Sequence, residues 1–175
     1  MSILPDVLTP GLAVVFCGTA ASSASARRRA YYAGPGNAFW PTLFEIGLIP
    51  RPLAPAEYHR LPTYGLGLTD LAKDVSGSDN VLSDNDFDRE GLEAKIRRYA
   101  PAILAFTSKR AAEEYLRHPV QYGRLQDAIE GTQFFVLPSP SGAARRFWDT
   151  GPWRQLAQMA STKRDPAKAG HFRSR

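Results

Sequence analysis

The sequence holds a single cysteine, Cys17, among its 175 residues. One thiol cannot close an intramolecular disulfide, and it cannot supply a Cys-ligated zinc or an iron–sulfur cluster within one chain. Histidine is scarce as well. His59, His118 and His171 stand too far apart in the sequence to suggest a metal site. Long apolar runs are missing, the longest lying near Leu12–Cys17, which is too short for a bilayer-spanning helix. The start, Met-Ser-Ile-Leu-Pro-Asp, lacks the basic opening and apolar stretch of a secretory signal. These absences lead to the expectation of a soluble, cytoplasmic protein with no membrane partner.

What is present points to a folded domain. Hydrophobic residues make up 43% and aromatic residues 11% of the chain, which excludes intrinsic disorder. The length suits one domain with a sizeable core. The formal charge is +5, and most of it sits at the end: residues 160–175 carry a net +4. Residues 70–93 are acidic, with eight carboxylates against Lys73 and Arg89. Two basic clusters stand apart, Arg27-Arg28-Arg29 and Arg145-Arg146. Charge alone leaves two readings open, a solvated surface with a basic tail or a binder of a polyanion.

Leu12–Cys17 is a continuous apolar run ending at Gly18, the pattern of a buried parallel strand. Thr19–Asn37 is small, polar and punctuated by Gly34-Pro35-Gly36, and reads as loop with at most a helical turn. Asn37 is placed to cap a helix through Phe39, Trp40, Leu43, Phe44 and Ile46, ending at Gly47. Pro50 to Pro62 marks an irregular connection, Tyr64–Leu71 is short and broken by glycine, and 72–86 is a polar loop. The pattern predicts a helix over Asp88–Tyr99, a strand over Ile103–Phe106 and an amphipathic helix over Ser108–Leu116. A third strand follows over Gln133–Leu137, and a last helix over Trp153–Met159. Strands alternating with helices predict a three-layer α/β/α domain around a central, mainly parallel sheet. Ligands of such folds bind at the carboxyl ends of the strands. The loops after Cys17, Phe106 and Leu137 then meet on one face, and both basic clusters of the body lie on it.

Two blocks, Val14-Val15-Phe16-Cys17-Gly18 and Tyr32-Ala33-Gly34-Pro35-Gly36-Asn37-Ala38-Phe39-Trp40, resemble the mismatch-specific uracil-DNA and thymine-DNA glycosylases, at matching spacing. Gly67-Leu68-Thr69-Asp70-Leu71 and Leu137-Pro138-Ser139-Pro140-Ser141-Gly142 fall where that family has its later motifs. The resemblance runs from about Leu4 to Met159. It implies a uracil-DNA glycosylase-like domain over 1–159, with 160–175 as a basic, flexible tail. It also implies a monomeric, monofunctional DNA repair enzyme that flips uracil, or another deaminated base, out of DNA and cleaves its N-glycosidic bond. By that resemblance Tyr32 stacks on the flipped base, backbone N–H groups around Thr19 and Tyr32 read its carbonyls, and Asn37 touches the base or orders the pocket. Ser139, Ser141, Gly142 and Ala143 form the loop that plugs the duplex, Arg145 and Arg146 hold phosphate or fill the gap, and Arg27, Arg28 and Arg29 face DNA. No metal or organic cofactor is implied, and no lysine stands in a motif position for a lyase step.

The first motif departs from the family's Gly-Ile-Asn-Pro-Gly, whose Asn positions the attacking water. Here Gly18-Thr19-Ala20-Ala21-Ser22 puts Ala20 at that place, and alanine cannot hold water. Asp70 is the candidate replacement, a carboxylate able to take the water's proton and to stabilise a cationic sugar. Asp74, Ser22 and Ser23 are weaker candidates, the serines suiting water or phosphate. Ser139 stands where an imidazole would be needed for histidine-assisted chemistry. Structural roles compete at each position: loop packing for Tyr32, a cap or loop carboxylate for Asp70, a helix cap for Asn37, a solvated helix start for Arg145 and Arg146. Two rival functions follow. One is a glycosylase shifted to hypoxanthine or to single-stranded uracil-DNA; the other is a non-catalytic module that binds damaged DNA.

Overall fold

The computed structural model describes residues 2–164. Five short strands form one sheet: β1 (Val14–Gly18), β2 (Leu66–Asp70), β3 (Ile103–Phe106), β4 (Gly123–Ile129) and β5 (Thr132–Val136), in the order β2-β1-β3-β5-β4. Pairings among β2, β1, β3 and β5 are parallel, and β4 closes one edge antiparallel to β5. The strands that read as continuous apolar runs are the ones covered on both faces, as the periodicity of a strand requires. Val14, Phe16, Ile103, Ala105 and Phe135 face one core. Their alternating neighbours Val15, Cys17, Leu104, Phe106 and Phe134 face the other.

The helices fill these two layers. Helix α2 (Phe39–Glu45) and helix α5 (Gly151–Arg164) cover the first face through Phe39, Trp40, Leu43, Trp153 and Leu156. Helix α3 (Arg89–Tyr99) and helix α4 (Lys109–Leu116) cover the second through Leu92, Ile96, Ala111 and Ala112. The expected three-layer α/β/α arrangement is therefore present. Asp88 and Ser108 cap α3 and α4 by accepting backbone N–H groups three residues ahead. Among the described residues no helix is long and apolar enough to cross a membrane.

Several boundaries differ from the sequence expectations. The Thr19–Asn37 segment contains a short helix α1 (Ser23–Arg28), capped by Ser22, whose hydroxyl accepts the Ser25 N–H at 3.0 Å. Ala38, not Asn37, is the cap residue of α2; Asn37 still accepts the Phe39 N–H through Oδ1 at 2.9 Å. Strand β2 was hidden by its glycines. A Cβ on Gly67 would lie 2.6 Å from the Val7 carbonyl and from Leu12, so glycine is what lets the N-terminal segment bridge to Leu68. Helix α5 runs past Met159, because Ala160 is fully buried one turn beyond Leu156. Residues 160–164 are thus helical rather than tail, and the remainder of the expected flexible tail, 165–175, lies outside the described residues.

Two buried tryptophans tie loops to this frame. Trp40 Nε1 donates to the Tyr31 carbonyl at 2.9 Å, and Trp153 Nε1 donates to the Pro138 carbonyl at 3.1 Å. Each satisfies an indole N–H that burial would otherwise leave without a partner. Each also fixes a loop at the carboxyl edge of the sheet.

Candidate active site

A cleft of about 800 Å³ opens at that edge, where the segments after β1, β2, β3 and β5 converge. Its floor is the end of the β1–β2 pair, where Gly18 and Asp70 lie side by side in register. Asp70 is 6% exposed and its side chain lines the cleft. A Cβ built on Gly18 would lie 2.8 Å from Asp70 Oδ1, 3.5 Å from Thr107 Oγ1 and 3.6 Å from the Tyr32 hydroxyl. These three polar groups therefore gather around one glycine, and only the missing side chain leaves them room.

Among the described residues nothing donates a hydrogen bond to the Asp70 carboxylate. Burial raises its pKa from the ordinary 3.8 to about 6, opposed by the positive charges of Lys73 and Lys95 and helped by the negative charge of Asp6. A buried carboxylate with open lone pairs and a pKa near neutrality can take up and hold a water and accept its proton. Cys17, next to it in the sheet, is inert by comparison: it is fully buried, and burial together with the Asp70 charge pushes its thiol far up.

Tyr32 supplies the aromatic wall. Its backbone is left-handed, φ 52°, an uncommon conformation for a bulky residue. The ring is held by stacking on Phe39, with centroids 4.0 Å apart and planes 22° apart. Its hydroxyl donates to Thr107 Oγ1 at 3.1 Å, and Thr107 in turn donates to the Cys17 carbonyl at 3.4 Å. Phe39, core-forming by sequence, therefore backs the cleft wall as well. Asn37 also lines the cleft. Because its Oδ1 accepts the Phe39 N–H, its amide nitrogen is the end left to donate to a ligand.

The opposite lip is the loop from Ser139 into a 3-10 segment over Gly142–Phe147. Ser139 Oγ accepts the Ser141 N–H at 3.3 Å and Ser141 Oγ accepts the Ala143 N–H at 3.2 Å, so both serines shape the turn. Gly142 packs against the Pro35 carbonyl, with no space for a Cβ, and the Ala38 N–H donates to the Pro140 carbonyl at 2.8 Å. The last loop and the 33–38 loop are one wall. Arg145 lies against Gly36, and Arg28 donates to the Ala33 carbonyl at 2.7 Å. The two basic clusters therefore flank the same loop, with Arg27, Arg28, Arg29, Arg145 and Arg146 all exposed.

With this geometry in place, the comparisons with known proteins decide the family. The family model of the Uracil DNA glycosylase superfamily matches residues 5–159. This chain belongs to that superfamily. A solution NMR structure of a candidate uracil DNA glycosylase from Methanosarcina acetivorans is similar over 92% of this chain and 94% of its own, with 25% identity and a TM-score of 0.59. The shared fold of these glycosylases is the five-stranded, mostly parallel sheet described above.

Most of the residues singled out in the sequence meet in the cleft of this superfamily member. Gly18, Thr19, Ala20, Ser22, Ser23, Tyr32, Asn37, Asp70, Ser139, Ser141, Gly142 and Ala143 all line it. Ser22 is engaged as the α1 cap. Asp74 does not line the cleft. Three further residues were not placed in the site from sequence. Thr107, which anchors Tyr32, directly follows the end of β3, the signal that could have found it. Lys73 is half-buried beside Asp6, its side chain 9% exposed. Phe147 is 65% exposed at the end of the 3-10 segment, with the Arg146 guanidinium 5.5 Å from its ring. A second hollow, about 450 Å³, lies around Ala13, Pro101 and Thr132, and its ionisable lining is Glu130 and Lys163. It has neither a buried carboxylate nor a stacking ring. Among the described residues no three His, Cys, Asp or Glu side chains gather as a metal site.

Proposed function

We propose that this glycosylase excises uracil from DNA by direct water attack, with Asp70 as the general base. The observation that carries the reading is the Asp70 carboxylate itself: buried, unbonded, open to the cleft and close to neutrality in pKa. The flipped base lies against the Tyr32 ring, which Phe39 stacking and the Thr107 hydrogen bond already hold in place. The Asn37 amide donates to a base carbonyl, which favours uracil over cytosine, whose amino group would meet it donor to donor. Backbone N–H groups in the Thr19 and Tyr32 segments stabilise negative charge on the leaving base.

The chemistry balances with the residues at hand. A water oxygen attacks C1′ as the bond from C1′ to N1 breaks, and the bonding pair leaves with the uracil. Asp70 takes the water's proton, and its charge stabilises the cationic sugar before attack is complete. General-base assistance of this kind is worth about 10²- to 10⁴-fold. It replaces the amide of the missing motif Asn at Ala20 with a group that can also carry the proton. The product is an abasic site. Lys73, three residues beyond Asp70, has its amine engaged with Asp6 and Tyr31, so no lyase step is proposed.

The plug of the duplex is assigned differently from the sequence expectation. Ala143 is exposed but small, whereas Phe147 presents an aromatic ring to solvent on the same segment, beside Arg146. Phe147 fills the gap left by the flipped base, and Arg145 and Arg146 contact the flanking phosphates. This keeps duplex DNA, including mismatched G·U, within the substrate range of the mismatch-specific branch.

The test uses labelled oligonucleotides with uracil in single strands, opposite G and opposite A, and with hypoxanthine in duplex. Free base is measured by mass spectrometry and abasic sites by alkaline cleavage. Uracil release with strand breakage only after alkali is the expected result. Hypoxanthine release in place of uracil would shift the substrate, and tight binding with no base freed would make this a damage-binding module.

A further inference from the structure

Behind Asp70 lies a half-buried ionic network that the reaction as described does not use. Lys73 Nζ is 2.9 Å from Asp6 Oδ1 and donates to the Tyr31 hydroxyl at 3.0 Å, with its side chain only 9% exposed. Lys95 Nζ on α3 is 2.7 Å from Asp6 Oδ2, and the Thr69 hydroxyl donates to Asp6 Oδ1 at 2.7 Å. The Tyr31 hydroxyl donates a hydrogen bond to the Pro5 carbonyl at 3.0 Å, and the Tyr31 carbonyl accepts from Trp40 Nε1. The Lys73 carbonyl accepts the Ile3 N–H at 2.7 Å. One lysine thus joins the N-terminal segment, the strand end that carries Asp70 and the loop that carries Tyr32.

A surface fold needs no such arrangement. Withdrawing two ammonium groups and a carboxylate partly from water carries a desolvation cost that only close pairing offsets. The charges around Asp70 explain what the arrangement does. Cys17 on β1, Tyr31 and Tyr32 in the loop are all held protonated, by burial first and by the Asp70 charge next. The charged groups acting on Asp70 are then Lys73, Lys95 and Asp6. Two positive charges against one leave a net single positive charge, which ionised Asp70 neutralises. Hydrogen bonds from both lysines and from Thr69 hold Asp6 below the usual carboxylate range despite its burial.

We propose that Lys73, with Asp6 and Lys95, is a positioning residue that keeps Asp70 ionised for proton transfer while leaving its lone pairs open to water. This rests on the reading of Asp70 as the base. The network supplies the counter-charge at a distance, where a direct ion pair would occupy the oxygens that must hold the water. The same lysine fixes Tyr31, and through it the neighbouring Tyr32, so base stacking and the base are set by one side chain.

The test compares Lys73→Met, Lys95→Met, Asp6→Asn and Lys73→Arg with the wild type. Two readouts are taken across pH 4 to 9: single-turnover uracil release, and the ¹³C titration of the Asp70 carboxyl in the DNA-free protein. Losing a lysine charge should move the acid limb and the Asp70 titration to higher pH, on the order of one unit for Lys73→Met, which is about tenfold in rate below the limb. Lys95→Met should move them the same way and less. Asp6→Asn should move them to lower pH, and Lys73→Arg should stay near the wild type. Opposite shifts cannot arise from general loosening of the fold, which would lower the plateau in every variant without reordering the limbs. Unmoved titrations, or shifts in one common direction, would overturn the proposal. Because the carboxyl titration needs no catalysis, a wild type that frees no uracil defeats the proposed function and still leaves the network tested.

Discussion

Replacing Asp70 by Asn removes a buried charge whose desolvation the neighbouring lysines only partly offset, and stability should rise as activity falls. The carboxyl is buried, with its pKa raised from 3.8 to about 6 by desolvation. Below about pH 3 it is protonated in both folded and unfolded chains and costs nothing. Between about pH 4 and 6 the folded protein holds its proton more tightly than the unfolded chain, so stability drains as pH rises. Above about pH 7 the loss is complete. A difference of about 2 pH units, at about 1.4 kcal/mol each, is about 3 kcal/mol. Asn escapes this penalty at every pH. Urea unfolding of both proteins at pH 4 and pH 8 reads the effect, provided the denaturant slopes agree. The stability advantage of Asp70→Asn should grow by about 2.5 kcal/mol from pH 4 to pH 8, since other titrating groups cancel between the two proteins. An advantage that does not change with pH would mean that Asp70 is not a strained, buried acid, and its assignment as the base would lose its physical ground.

Other outcomes follow from the same geometry. The single-turnover rate of the wild type should rise through pH 6 and level off above pH 7, as the Asp70 carboxylate forms; a rate that falls across this range would point to an acid instead. Gly18→Ala places a methyl 2.8 Å from Asp70 Oδ1 and should cut uracil release about 100-fold by displacing the carboxylate, while the unfolding free energy changes by less than about 1 kcal/mol because only a side-chain end must move. Phe147→Ala should lower release from duplex at least tenfold and leave single-stranded substrate nearly unaffected, as measured by the ratio of the two rates; equal losses on both would remove Phe147 as the plug.

Much of the fold was legible because burial on both faces writes itself as short apolar runs. Ile103–Phe106 and the capped helices after Asp88 and Ser108 follow from pattern and caps alone. The missed strands fail that rule for physical reasons. Strand β2 carries Gly67, needed for the close pass of Val7, and β4 is a half-exposed edge whose Arg124, Gln126 and Asp127 read as loop. The site divides the same way. Asp70, Tyr32 and the Ser139–Ala143 loop stand in recognisable motifs, so sequence order brought them to one face. Their support does not. Asp6 meets Thr69 from 63 positions away, Lys73 reads as an ordinary charge in an acidic stretch, and Phe147 stands in no motif. Long-range pairing of polar groups leaves no periodic trace, and an aromatic placed outward for a partner looks the same in sequence as one placed inward.

The central claim is that Asp70 performs the chemistry, and single-turnover release of uracil from a G·U duplex at pH 8 tests it most directly. Wild type and Asp70→Asn are compared at saturating enzyme, with DNA affinity measured in parallel. The account predicts that the variant binds as tightly as the wild type and frees uracil at least 100-fold more slowly. A variant that excises uracil at the wild-type rate would contradict it.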